Sequence, residues 1–178
     1  MKILKGILLF IGVLLAIILI TAAFVKKDFK SERSIVINKP KSEVFAYVKS
    51  LKSQNDWSVW GKRDPNMKTE FTGTDGTVGC IHTWEGNDDV GSGEQEIKKI
   101  IEGERIDFEL RFLKPFKATN YAHIITQAES DHTTKVTWGF NGTMSYPMNI
   151  SLLFMNMDEN IGNDFAEGLS NLKVLMEK

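Results

Sequence analysis

Three histidines and one cysteine are the residues of this chain with the readiest chemistry near neutral pH. His82 stands two residues before Trp84 in "IHTWE", and Tyr121, His123 and Ile125 alternate in "YAHII". In a strand, a spacing of two places side chains on one face. If Trp84 turns inward, His82 turns with it. Inward imidazoles at His82 and His123, set among apolar side chains, could move protons on a carbonyl substrate. The competing reading makes each a hydrogen-bonded or solvent-facing sheet residue. His132 falls in "SDH", which reads as a solvated hairpin turn. The three histidines have no ligand-like spacing, and no metal or cofactor site is expected. Nothing marks a nucleophile, base and orienting group that would meet in space. The glycines of "GTDGTVG" and "GSG" do not lead from a strand into a helix as a phosphate loop does, and read as turns and bulges. Cys80, the single cysteine, can make no intrachain disulfide and reads as a small buried hydrophobe in a strand.

A second kind of residue could recognise rather than react. "NDWSVWGKRDPN" holds Trp57 and Trp60 in otherwise polar, turn-forming sequence. Tryptophan is costly to leave in water, so both must cover something. The 178 residues suffice for one domain with a sizeable core, and the composition (42% hydrophobic, 25% charged) is that of a globular protein. Residues 1–30 hold five of the 22 basic residues and one of the 23 acidic ones, so the remainder is acidic. That argues against nucleic acid as a partner, because displacing counterions from phosphates takes a basic face.

The elements that must position these side chains start with an anchor. Gly6–Val25 is 20 residues without a charge, long enough as a helix to span roughly 30 Å of hydrocarbon. Lysines bracket it. Residues 1–27 are therefore expected to be a single-pass membrane anchor, with 28–33 a tether and 34–178 the folded domain. The alternative is export after cleavage of a signal at the small residues Thr21–Ala23. Lys26, Lys27, Lys30 and Arg33 against Lys2 and Lys5 favour a cytoplasmic domain.

"RSIVINKP" reads as a strand ended by proline, and "KSEVFAYVKSL" as a helix capped by Ser42. Period-two patterns follow. "MKTEFTG" is a short strand, and "TVGCIHTWEG" places Val78, Cys80, His82 and Trp84 on one face. "SGEQEIKKII" and "ERIDFELRFL" pair around Glu102–Glu104, and "TNYAHIITQAE" and "TTKVTWGFNG" make a last hairpin. Phe154, Met157, Ile161, Phe165, Leu169, Leu172 and Met176 then recur at helical steps. They predict one long amphipathic helix of about six turns with a methionine-rich start at Met144, Met148, Met155 and Met157. The fold class is α+β: a curved antiparallel sheet gripping a long C-terminal helix, preceded by the membrane helix. Such a sheet can leave a cavity under its helix.

Across residues 31–178 the chain resembles the helix-grip superfamily (SRPBCC), which takes in START-related lipid-transfer domains, birch-pollen-allergen-like proteins and polyketide cyclase or dehydrase-like proteins. The segments that carry the resemblance are "RSIVINKPKSEVFAYVKSLKSQNDWSVW", "GSGEQEIKKIIEGERIDFELRF", "TTKVTWGFNG" and "NIGNDFAEGLSNLKVLMEK". It implies that the helices around Trp57 and Trp60 sit at a cavity mouth, where the two indoles either contact ligand or close the barrel end. The expected lining is Trp57, Trp60, Trp84, Phe108, Leu110, Tyr121, Trp138, Phe140, Met157, Ile161 and Phe165, with His82, His123 or Tyr121 as polar contacts. The leading function is a membrane-anchored binding protein for a hydrophobic small molecule or lipid. The alternatives are a cyclase or dehydrase-like enzyme, or a structural, partner-binding module with a filled core.

Overall fold

The computed structural model describes residues 2–178. An apolar helix α1 (Lys2–Phe24) leads into strand β1 (Asp28–Ile37). Three short helices follow: α2 (Lys41–Val48), α3 (Leu51–Trp57) and α4 (Trp60–Arg63). Six strands come next: β2 (Lys68–Thr72), β3 (Ile81–Glu85), β4 (Ser92–Ile101), β5 (Arg105–Lys114), β6 (Ala118–Ser130) and β7 (Thr133–Thr143). A 3-10 segment (Met148–Leu153) then precedes the long helix α5 (Met157–Met176). The strands form one antiparallel sheet in the order β1-β7-β6-β5-β4-β3-β2.

Alternation decides which face each side chain takes. On β5, Ile106 and Phe108 are buried on the inner face, while Asp107, Glu109 and Arg111 point out. The outer guanidinium of Arg111 bridges the carboxylates of Glu94, Glu96 and Glu109 at 2.6–2.9 Å, and these bonds hold its pKa above the usual arginine value. A register shift between Ile97 and Lys99 lets both Ile97 and Ile100 serve the inner face despite their odd spacing.

Helix α5 packs on the inner face over β1 and β7. Asn156 caps it, its side-chain oxygen accepting from the Glu159 amide. Phe165, Leu169 and Leu172 are buried beneath it, each contributing about 1.5–3 kcal/mol by leaving water. Gly162 makes the close approach possible, since a Cβ there would fall 2.1 Å from the Arg33 guanidinium. Arg33 bonds both the Asp158 carboxylate (2.9 Å) and the Asp158 carbonyl (3.0 Å), and that bond draws the Asp158 pKa below its usual range.

Several elements differ from their sequence expectation. Residues 28–33 are not a tether; they are the first half of β1, paired with residues 138–143 of β7. Only Val25–Lys27 separate α1 from the sheet. The helix "KSEVFAYVKSL" breaks after Val48, and Ser42 caps nothing. Ser50 instead caps α3 by accepting from the Ser53 amide, with Asp75 binding the Leu51 amide alongside. Cys80 is buried but precedes β3, and Val78 is exposed in the turn before it. Helix α5 begins at Met157, leaving Met144, Met148, Phe154 and Met155 in the linker.

The linker fastens α1 to the domain. Asn149 is fully buried, and its side-chain amide donates to the carbonyls of Ala22 (2.7 Å) and Val25 (2.9 Å). These oxygens belong to the end of a helix, where carbonyls have no partner within the helix. Ala22 is buried against the same segment. Asn149→Ala would strand both carbonyls, at a cost of about 1–3 kcal/mol. The expected result is trypsin cleavage after Lys26 and Lys27 at least several-fold faster than in the wild-type chain, with the melting of the sheet domain little changed.

Candidate functional site

A cavity of about 420 Å³ opens between α5 and the half of the sheet that α5 leaves uncovered. Its floor is the inner face of β5, β6 and β7: Leu110, Phe112, Ala122, Trp138 and Phe140. Ala122 lies between Phe108 and Phe140 in register, and its short side chain leaves the space its neighbours surround. Ile161 and Phe165 of α5 form one wall, and Trp60, at the start of α4, another. Trp84 closes the far side. Its indole crosses β4 at Gly93, where a Cβ would fall 2.6 Å from the ring, and meets Phe112 edge to face at 5.8 Å. The mouth lies at Asp88–Val90 and Lys114–Pro115. Asp64 accepts from the Asn87 amide at 2.7 Å and ties the first of these loops to the end of α4. Arg63 and Asp164 pair across from α4 to α5.

Asn55, Ser58 and Asp164 also line the cavity, and a further set of polar side chains meets at one corner. Gln95 and His82 are register partners on β4 and β3, and both face inward. The Gln54 side-chain oxygen accepts from the Gln95 amide at 3.0 Å. The Gln54 amide nitrogen and His82 Nε2 are buried and bond no protein atom. The His82 ring stacks on Phe71, with centroids 4.6 Å apart and planes within 9°. Burial lowers the His82 pKa from its ordinary value, so the ring is neutral at pH 7. Burial also pushes the Cys80 thiol up.

The expected site residues separate into three groups. Trp60, His82, Trp84, Leu110, Trp138, Phe140, Ile161 and Phe165 face the cavity together. Trp57 and Phe108 are packed behind its wall, fully buried. Trp57 meets Trp138 edge to face at 4.8 Å, and its carbonyl accepts from Asn171. The two tryptophans of "NDWSVW" therefore divide: Trp57 is core, Trp60 is rim. The third group lies elsewhere. His123 and Tyr121 are on the outer face of β6, because Ala122 takes the inner one. The His123 ring rests over Gly139 and meets Glu32 at 3.3 Å. A pair of inward imidazoles is thereby ruled out, and His82 is the histidine on the cavity. Met157 opens α5 and lines a separate groove against α1. Among the described residues no three His, Cys, Asp or Glu side chains are grouped as a metal ion would need.

Gln54, Gln95, Phe112 and Ala122 were not anticipated. Gln95 and Phe112 could have been found by carrying the alternation of Ile97 and Phe108 along their strands. Gln54 and Ala122 carry no such signal, because a glutamine on a short helix and an alanine in a strand are unremarkable in sequence.

No family model matches the chain, and no curated protein matches it. Solved structures do. CV1439 from Chromobacterium violaceum is 14% identical, with a TM-score of 0.60, covering 84% of this chain and 97% of its own. Ara h 8.0201 is 12% identical with a TM-score of 0.54, covering 84% of this chain and 95% of its own. CalU16 from Micromonospora echinospora is 14% identical with a TM-score of 0.54, covering 84% of this chain and 85% of its own. At these identities the likeness is one of fold. The chain has the helix-grip fold, with an apolar helix added in front.

His82 gives the site a pH dependence whose sign follows from its lowered pKa. Above about pH 6.5 the ring is neutral in both folded and unfolded chains. Below that, the unfolded chain takes up a proton that the folded one resists, so stability falls as the pH falls. The slope is at most about 1.4 kcal/mol per pH unit. Thermal melts between pH 7 and pH 5 should show a steeper loss for the wild-type chain than for His82→Gln, and equal slopes would mean the ring titrates normally.

Proposed function

We propose that the chain is a membrane-anchored binding protein for a hydrophobic small molecule that carries a neutral polar end. The observation that carries this reading is a mainly apolar cavity with a polar corner that holds two buried, unpartnered nitrogens, on His82 and Gln54. A buried polar group without a partner costs free energy, and a ligand carbonyl or hydroxyl would relieve it. A carboxylate suits the corner less well, because no cation lies there to offset its burial. The aromatic and aliphatic wall supplies affinity, and the corner supplies orientation.

The anchor reading rests on α1. Ile3–Phe24 is long and apolar enough to cross a membrane, and its side chains are almost all unburied by protein. A signal peptide passes the same test of length and composition. Retention is favoured by Asn149, because cleavage after Ala23 would take away a helix end that this buried side chain bonds. An anchored domain meets membrane-borne ligands at a raised local concentration.

His82 also sustains the second reading, an acid–base enzyme, since a neutral imidazole in an apolar cavity can accept or donate a proton. With His123 on the other face, such an enzyme would work through a single imidazole.

Native mass spectrometry of the full chain, with detergent released in the gas phase, tests binding. The probe is prodan, a naphthyl ketone small enough for the cavity. The expected result is a one-to-one adduct in the wild-type chain that is at least tenfold weaker in Ala122→Phe, whose ring would fill the floor, with its melting temperature held within a few degrees. Absence of the wild-type adduct, or equal binding by Ala122→Phe, would sink the reading. Conversion of an apolar compound that copurifies with the chain, lost in His82→Gln, would move the assignment to the enzyme.

A further inference from the structure

The register places β1 entry, β7 exit, the β5–β6 turn and the β3–β4 loop at one end of the sheet. Helix α1 leaves from this end, and the cavity opens at it. The same end concentrates exposed apolar side chains. Phe154 is 85% exposed and Phe116 70% exposed; Leu113 is exposed near Phe116 in sequence, and Met148, Leu153 and Met155 are exposed in the segment that holds Phe154. Elsewhere in the domain the exposed large hydrophobics, Val36, Val78, Ile101, Tyr121 and Val174, stand singly. A scatter of single residues is ordinary; a cluster of this kind marks a surface that is covered in use.

What covers it follows from its continuity with α1. Leu152, Leu153 and Met155 line one groove with Ile20 and Phe24 of the apolar helix. Ile20 lies four residues before Phe24, the last residue of α1. At about 1.5 Å per residue, that places it roughly 6 Å along the helix from its end. With α1 across a bilayer, the apolar side chains of that groove would sit at the depth of headgroups and upper acyl chains, while Lys26, Asp28, Lys30 and Asp158, which line it too, would face headgroups and water. Lys114 and Lys117 bracket Phe116 and can reach outward while the ring points down. Asp88 and Asp89 lie in the neighbouring loop, so the surface as a whole is not basic.

We propose that this end of the domain is a bilayer-docking surface. The segment Met148–Met155 and the turn at Phe116 insert into the membrane interface and set the cavity mouth directly against it. The inference rests on α1 being a retained anchor, and it deepens the binding reading by giving the ligand a route that does not cross water. Because the contact is apolar, it needs no anionic lipid.

The test uses the full chain in zwitterionic phosphatidylcholine nanodiscs. A Cys80→Ala background would carry a single environment-sensitive fluorophore through Leu14→Cys, Phe116→Cys, Phe154→Cys or His132→Cys. The substituted aromatic residues are exposed, so the core is undisturbed. Bromine-labelled lipid reads contact with acyl chains. Quenching at 14, 116 and 154 but not at 132 is the expected result. Quenching at 14 alone would overturn the docking surface and leave the anchor standing. Absence of quenching at 14 would remove the anchor and the docking surface together. Labels at 116 and 154 that are shielded from aqueous iodide yet untouched by brominated lipid would mean that a second protein copy covers this end, and would also overturn the proposal.

Discussion

The stacking of Trp138 on Phe165, with centroids 4.1 Å apart and planes within 11°, is the contact on which the arrangement of this molecule turns. It fixes α5 over β7 and β1 and no farther across. Trp57 and Trp60 both meet the same indole edge to face, so two short helices are placed by the pair that places the long one. Gly168 permits the contact, since a Cβ there would fall 2.9 Å from the Trp138 ring. Aromatic pairs of these geometries contribute about 0.5–1.5 kcal/mol each beyond the area they bury. With the helix held at one side, Ile97, Ile106 and Phe108 of β4 and β5 pack into the core, while the stretch of β3, β4 and β5 around Trp84, Gln95, Leu110 and Phe112 faces the cavity. The cavity is the part of the concave face that α5 does not reach.

That geometry explains which features were legible in the sequence. The strong alternation of β5, with Phe108, Leu110 and Phe112 against Asp107, Glu109 and Arg111, fixes the phase of that strand without help. The helical spacing from Ile161 to Leu172 does the same for α5. On β6 the alternation names two sets but not their sides. Tyr121, His123 and Ile125 look as inward as Ala122, Ile124 and Thr126. The bulky inner neighbours Phe108 and Phe140 decide the matter by leaving room for only a small residue between them, and that is a property of three strands together. The alternation alone therefore cannot tell that His123 lies on the outer face. In residues 28–33 the polarity of "DFKSER" reads as a tether in sequence. An edge strand with one face in solvent can be polar, and here the inner-face residues Ser31 and Arg33 bind the backbone of α5's first turn instead of joining the apolar core.

The polar corner was also hidden, for a different reason. Its chemistry belongs to a pair of glutamines and a histidine from a helix and two strands, and no two of the three are close in sequence. Each alone has an ordinary explanation. Among the described residues four buried side-chain atoms lack a partner: Trp57 Nε1 behind the wall, Asn149 Oδ1 at the linker, and the two nitrogens of His82 and Gln54 that share the corner. Buried polar groups are almost always paired, so the mismatch carries more functional information than any of the aromatic residues around it. The aromatic lining defines how much can bind, whereas the corner distinguishes which end of the guest enters first.

The pairing of β1 with β7 has a consequence for biosynthesis. Asp28 is joined to Thr143, so the strand that follows the apolar helix meets its only neighbour in the sheet more than a hundred residues later. At a translation rate of about 5–20 residues per second, β1 waits roughly 6–20 s with its edge unpaired. Throughout that time α1 is already made, and the side chain that caps it, Asn149, is not. The nascent chain thus passes through a stage in which an apolar helix and an open strand edge coexist at the ribosome exit. The last quarter of the sequence, with β7 and Asn149, closes the sheet and seals the helix end together.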